Sequence, residues 1–294
     1  MCGIVGIYLK SEKFESSLGK MLSDMLVNMG SRGPDSAGFA IYKKEEDGEY
    51  KYSLCLNNLS FEKFKNELQN KISFSDIEEN SDHVIVKSKD NPKKVLEIIT
   101  RVFKEVSIVG YGKSIEIFKQ VGEPKNVVKK FNLESFSGTH GIGHTRMATE
   151  SAITTDGSHP YSTGEDECLV HNGSLSNHNN LRRKLKKNGI NFNSENDTEV
   201  AAGYISNNLS SKKTLKETLK KGLNDLDGFY TFITGTRKGF AVLRDEIGCK
   251  PAVIAETDDY VAIASEFQAM AHLPNVNSAK IFEPEPGIVY SWGN

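Results

Sequence analysis

The chain has 294 residues, 37% of them hydrophobic and 26% charged, so it can bury one large core or two ordinary ones. Its 37 basic and 39 acidic residues give a formal charge of −2, which leaves no general basic field for nucleic acid or an anionic membrane and points to a small-molecule or protein partner. Cys2, Cys55, Cys168 and Cys249 are scattered without a C-x-x-C pair, which argues against a zinc ribbon or a disulfide framework and fits a reducing, cytoplasmic compartment. No apolar run reaches the ~20 residues of a spanning helix, and the start lacks the charged and apolar blocks of a signal peptide.

Residues 4–8 predict a short buried strand. Leu18, Met21, Leu22, Met25, Leu26 and Met29 then recur at helical spacing until Gly30, a stripe that reads as core packing. Ser31-Arg32-Gly33-Pro34-Asp35-Ser36 is a polar turn, followed by a strand over 39–42. From 43 to 137 lysine and glutamate become frequent, and the pattern predicts an inserted α+β lobe. Its expected elements are a strand over 50–56, a helix over 61–70, a strand over 84–87, a helix over 92–104 and a strand over 106–109. Two short helices, around 115–120 and 126–131, are expected to lead back. Both signs of charge interleave there, as on solvated faces. The second half predicts strands at 142–145, 169–171, 229–235, 239–243, 252–255 and 261–264, with helices near 177–187, 197–208 and 215–223. Two strand-rich halves with clustered helices imply sheets packed face to face with helices outside. The basic string Arg182, Arg183, Lys184, Lys186 and Lys187 is the wet side of an amphipathic helix between Leu181 and Leu185.

Cys2 stands directly behind Met1. Removal of Met1 would leave an N-terminal cysteine whose α-amine, with an ordinary pKa of about 7.7–8, can take the thiol proton near neutral pH. The plainer reading is a small core residue. Arg146 ends an apolar strand, where a guanidinium can clamp a carboxylate bidentately or form a structural ion pair, and Thr149 can add a hydroxyl. His171-Asn172-Gly173 offers a side-chain amide beside a glycine N–H, two donors suited to a developing oxyanion, although Asn-Gly is also a common tight turn. Asn196 and Glu199 have the spacing of a capping box, leaving Asp197 free in the first turn to face a cation. A ligand bound by Arg146 at one end and Asp197 at the other has the charges of an amino acid. His140, His144, His159 and His171 match no common zinc spacing, so no metal is expected, and no P-loop or dinucleotide fingerprint is present.

Cys2-Gly3-Ile4-Val5-Gly6, Arg32-Gly33-Pro34-Asp35-Ser36-Ala37-Gly38, Gly143-His144-Thr145-Arg146, His159-Pro160, His171-Asn172-Gly173 and Asp197-Thr198-Glu199 stand in the order found in class II glutamine amidotransferases, which the chain resembles. The resemblance implies the fold of the N-terminal nucleophile hydrolases, a four-layer αββα sandwich, here α+β with an inserted lobe. It also implies Cys2 as nucleophile, Asn172 and Gly173 as oxyanion hole, and Arg146 and Asp197 as holders of the glutamine carboxylate and ammonium. Arg32 matches a turn that shapes the nucleophile pocket, and 149–159 matches a loop that closes over glutamine, with His159 as a lid residue. Thr145-Arg146-Met147-Ala148-Thr149-Glu150-Ser151 and Cys249-Lys250-Pro251-Ala252 look most like the separate amidotransferase subunit of split glutamate synthases and of N-methylglutamate synthase. That likeness implies a separate synthase subunit as ammonia acceptor, carrying FMN and an iron–sulfur cluster, with no cofactor in this chain. The alternatives are an amidotransferase serving another synthase, a stand-alone glutaminase, a non-catalytic glutamine-binding regulatory module and a zinc-binding structural protein.

Overall fold

The structure is a computed structural model that describes residues 2–46, 48–148, 152–211 and 213–293. The chain opens with β1 (Gly3–Leu9), α1 (Leu18–Asn28) and β2 (Ser36–Tyr42). Next come β3 (Tyr50–Cys55), α2 (Phe61–Leu68), β4 (Asp76–Asn80), β5 (His83–Ser88), α3 (Pro92–Val102) and β6 (Ser107–Gly112). β7 (Ile115–Val121), α4 (Pro124–Lys130), β8 (His140–Arg146), β9 (Cys168–Leu175) and the helices α5 (His178–Lys187), α6 (Asp197–Leu209) and α7 (Leu215–Asp225) follow. The chain then forms β10 (Gly228–Thr236), β11 (Gly239–Arg244), β12 (Val253–Glu256), β13 (Tyr260–Ala264), β14 (Lys280–Phe282) and β15 (Val289–Trp292).

A seven-stranded sheet runs β14-β12-β13-β1-β8-β2-β7 and a four-stranded sheet runs β15-β11-β10-β9. Period-two alternation sorts their side chains between two faces. Ile4, Ile142 and Ile263 of the larger sheet meet Val170, Ile233 and Val242 of the smaller one in a buried layer between them. The opposite face of the larger sheet carries Val5, Ile7 and Phe39, covered by the α1 stripe and by Val127 and Val128 of α4. The outer face of the smaller sheet is covered by Leu181 and Leu185 of α5, Val200 and Ile205 of α6 and Leu219 of α7. The order of layers is thus α, β, β, α, as the resemblance implies. No helix among the described residues is long and apolar enough to cross a membrane.

The stretch 43–137 divides. A separate sheet, β4-β5-β3-β6, packs Tyr52, Leu54, Val84 and Val86 against Phe64 and Leu68 of α2 and Val95 and Ile99 of α3, so the lobe has its own core. Residues 115–120, expected as a helix, are instead β7, paired with β2 from Ser36↔Val121 to Tyr42↔Ile115 at the edge of the larger sheet. Ile115 and Ile117 alternate on the inter-sheet face, and β2 supplies the ladder that no local signal announces. α4 likewise packs on α1, so only β3 to β6 form the lobe sheet. β4, β14 and β15 carry no strand signal of their own. All three are short edge strands, and Asp76–Asn80, DIEEN, has low strand propensity.

Candidate active site

Strand alternation aims the site residues. Cys2 shares its face with Ile4, and Arg146 and His144 share theirs with Ile142, so all three turn toward the smaller sheet. Asn172 shares the face of Val170 and turns toward them. Cys2, Arg146, Met147, His159, Gly173 and Asp197 line one cavity of about 300 Å³, with Ser174, His178 and Asn196 among the remaining lining residues. Arg32 and Asn172 adjoin it without lining it. Thr149 and Met1 lie outside the described residues.

On the side of the larger sheet, the half-buried Cys2 thiol donates a long contact of 3.8 Å to the Met147 carbonyl. Arg32 stands behind it: Nε donates to the Cys2 carbonyl at 3.0 Å and Nη1 pairs with Glu266. The Arg32 turn lies flat on β8, because a side chain on Gly33 would put a Cβ 2.3 Å from the Thr145 carbonyl carbon. Asp35 fastens the exit of β8, its N–H donating to the Arg146 carbonyl at 3.0 Å and its Oδ2 accepting from Ala148 N–H at 2.8 Å. Arg146 is buried, with Nη1 donating to the Ala152 carbonyl at 3.1 Å.

On the opposite side, Asn172 and Gly173 are not a tight turn. Both lie in the β9 ladder, opposite Thr231 and Tyr230 of β10. Gly173 has φ +151°, and a Cβ there would lie 2.0 Å from the Phe229 carbonyl, so only glycine fits. The Asn172 Nδ2 is buried and has no partner among the described residues, an orphan donor beside the pocket. Asp197 opens α6, and its Oδ2 accepts from Leu175 N–H at 2.8 Å, which ties the helix start to the end of β9. Asn196 caps the helix by accepting from Thr198 N–H at 2.9 Å, but the expected capping box is absent. Glu199 turns away to accept from Asn193 and Ser194 N–H at 2.7 and 2.8 Å.

His159, expected as a lid residue, sits in the pocket lining. It is 5% exposed, its Nε2 lies 2.9 Å from Thr198 Oγ1, and its ring stacks on His144 at 3.7 Å. The same Thr198 hydroxyl lies 2.9 Å from His171 Nδ1 and 3.3 Å from Asp197 Oδ1. One hydroxyl satisfies all three by donating to the carboxylate and accepting from both rings. His144 Nε2 donates to the His171 carbonyl at 2.9 Å. Burial holds these rings neutral: His144 is pushed down to about 3, His159 lies well below its ordinary value, and His171 is lowered despite Asp197 nearby. Among the described residues the potential ligands that converge are Cys55, Asp82 and His83 in the lobe, and these already bond Asn57, Lys130 and one another.

A family model described as "Glutamine amidotransferase domain" matches residues 144–272. The glutamine amidotransferase-like protein GlxB of Rhizobium meliloti is 50% identical over 99% of this chain and 98% of its own. The chain belongs to the class II glutamine amidotransferases. A putative glutamine amidotransferase of Methanothermobacter thermautotrophicus is 30% identical over 99% of both chains. Among solved structures, the glutamine phosphoribosylpyrophosphate amidotransferase from B. subtilis superposes with a TM-score of 0.63 over 99% of this chain and 47% of that one. At 22% identity it shares the fold alone. The amidotransferase is thus a glutamine-hydrolysing enzyme built on the N-terminal nucleophile sandwich. Its sequence motifs pointed to Cys2, Arg146, Asn172, Gly173 and Asp197. They did not single out Thr198, Asp35 or Glu266, whose contacts join distant segments. For Asp35 the signal available was its place in the Arg32 turn.

Proposed function

We propose that the chain hydrolyses glutamine to glutamate and ammonia through a Cys2 thioester and delivers the ammonia to a separate synthase subunit. The observation that carries the reading is that Cys2, just ahead of the central strand β1, opens into the same cavity as Arg146, Gly173 and Asp197. Arg146 takes the substrate α-carboxylate and Asp197 its α-ammonium, which leaves the side-chain amide to face Cys2. With Met1 removed, the α-amine of Cys2 takes the thiol proton, and sulfur adds to the amide carbon. The oxygen that becomes negative is received by Asn172 Nδ2, a buried donor with no partner among the described residues, and by the Gly173 N–H. The nitrogen leaves as ammonia with the proton returned by the α-amine, and water cleaves the thioester to release glutamate. Thr149 adds a hydroxyl toward the carboxylate, His159 forms the pocket wall behind the ligand, and Arg32 holds Cys2.

The separate acceptor is supported by the likeness of the Thr145–Ser151 segment to stand-alone amidotransferase subunits. We place FMN and an iron–sulfur cluster on that partner, a glutamate synthase-like subunit, with an N-methylglutamate synthase as the alternative acceptor. Ammonia release and intact mass after treatment with a diazoketone analogue of glutamine test the hydrolysis. The expected result is a chain without Met1 bearing one adduct on Cys2, whereas an active chain that retains Met1 and takes no adduct overturns it. Purification from the native cell tests the partner: a lone chain with full uncoupled turnover removes the acceptor subunit from the scheme.

A further inference from the structure

The ladder that holds the start of β1 is lopsided. On the β8 side the pairing runs out to Gly3↔Thr145, whereas on the β13 side it ends at Val5↔Ala264. Residues 2–4 would therefore be free to fray along one edge, as chain ends do unless they are tied down. Two residues just past β13 close that edge, and neither lines the pocket. Ser265 brackets Ile4: its hydroxyl accepts from Ile4 N–H at 3.0 Å and its own N–H donates to the Ile4 carbonyl at 3.0 Å. Glu266 acts one step further out. Its Oε1 pairs with Arg32 Nη1, and Arg32 Nε in turn donates to the Cys2 carbonyl at 3.0 Å. Its second oxygen accepts from Gln268 Nε2 at 2.5 Å, so the carboxylate is held at both ends.

We propose that Ser265 and Glu266 are positioning residues for Cys2. They clip the chain start from the β13 side, one directly through Ile4 and the other through the Arg32 guanidinium, and so fix where the sulfur stands relative to the bound amide. The proposal rests on Cys2 being the nucleophile. Arg32 has only 10% of its side chain exposed, and a charge-assisted bond to Glu266 fixes a guanidinium that the Cys2 carbonyl alone leaves free to swing. The clip touches neither Arg146 nor Asp197, so it sets attack geometry without setting glutamine affinity. A misplacement of about 1 Å in a reacting group costs on the order of a hundredfold in rate.

The test is steady-state hydrolysis and diazoketone alkylation of Glu266→Gln, Ser265→Ala and Arg32→Ala, with Met1 removal checked by mass and folding by thermal midpoint. Glu266→Gln is expected to lower kcat and the maximal alkylation rate by about tenfold or more while KM stays within about twofold. Ser265→Ala, which loses only the acceptor for Ile4 N–H, shows the same split to a smaller degree and keeps the test open should Glu266→Gln unfold. Glu266→Gln added to Arg32→Ala costs nothing further, because both act through one contact. Wild-type kcat in both the Glu266 and Ser265 variants, a rise in KM alone, or additive losses with Arg32→Ala each overturn the clip. Cys2→Ala separates this failure from that of the underlying reading: if it still hydrolyses glutamine, the nucleophile itself is wrong. If it is dead while Glu266→Gln and Ser265→Ala are normal, only the clip is.

Discussion

On the pocket wall supplied by the larger sheet, Cys2 and Arg146 are held by charged and backbone contacts: Arg32 to the Cys2 carbonyl and Glu266, and Asp35 to the backbone leaving β8. On the wall supplied by the smaller sheet and α6, the Asn172–Gly173 strand end and Asp197 are backed by neutral imidazoles gathered on the Thr198 hydroxyl. The first wall begins at the chain start ahead of β1, where the mostly buried Arg32 is held by the partly exposed Glu266. The second is interior, where burial penalises charge and uncharged hydrogen bonds do the orienting. The two walls should therefore fail differently when perturbed.

The largest contrast comes from removing the nucleophile. Cys2→Ala should cut turnover by at least about a thousandfold while a fluorescence or calorimetric titration still detects glutamine. Loss of binding in parallel would mean that Cys2 supports the pocket more than the chemistry. On the opposite wall, Asn172→Ala should lower kcat by about 10²–10³ with KM little changed, since an oxyanion donor acts when charge develops. A pure KM effect would assign Asn172 to ground-state binding. Arg146→Lys and Asp197→Asn reverse that pattern and should raise KM by roughly ten- to a hundredfold at near-normal kcat, read from initial rates over a wide glutamine range.

Smaller effects probe the backing of the second wall. Thr198→Val keeps the shape but leaves the His159 and His171 ring nitrogens unpaired, which should cost about 2 kcal/mol in denaturant unfolding. No change in midpoint would show that the hydroxyl is not the hub. Acid should find the ring that bridges the two walls, His144 of β8, which stacks on His159 and bonds the His171 carbonyl. His144 is pushed down to about 3 in the fold against about 6.5 when unfolded, so between those values the unfolded chain binds the proton and the folded chain does not. The stability present above pH 6.5 is lost as pH falls, by about 1.4 kcal/mol per unit for this ring. Unfolding titrations should show stability falling as pH drops below about 6.5, with His140, His159 and His171 adding to the slope, and His144→Asn should make it shallower by up to about 1.4 kcal/mol per unit below pH 5.5.

Much of this was legible in the sequence, for local reasons. The α1 stripe, the buried β1 and the apolar strands of the second half follow from period, and the chemistry-bearing types at Cys2, Arg146, Asn172, Gly173 and Asp197 stand beside them. The misreadings share a cause. Residues 115–120 are a strand only because β2 offers them an edge, and the Asn172–Gly173 pair leaves the turn class only because β10 continues the ladder past it. Glu199 abandons the capping box because Asn193 and Ser194 present two N–H donors to one carboxylate.

By itself the sequence determined the layered sandwich, the family and the residue types at both ends of an amino-acid site, because periodicity and side-chain chemistry are written residue by residue. Only the tertiary structure decided that His159 is buried in the pocket lining, that the Thr198 hydroxyl meets two histidines, and that Ser265 and Glu266 contact Ile4 and Arg32 beside Cys2. Each of those contacts joins segments far apart in the chain, 261 positions apart for Ile4 and Ser265. Such pairs meet only when sheets assemble, and no local propensity encodes the meeting.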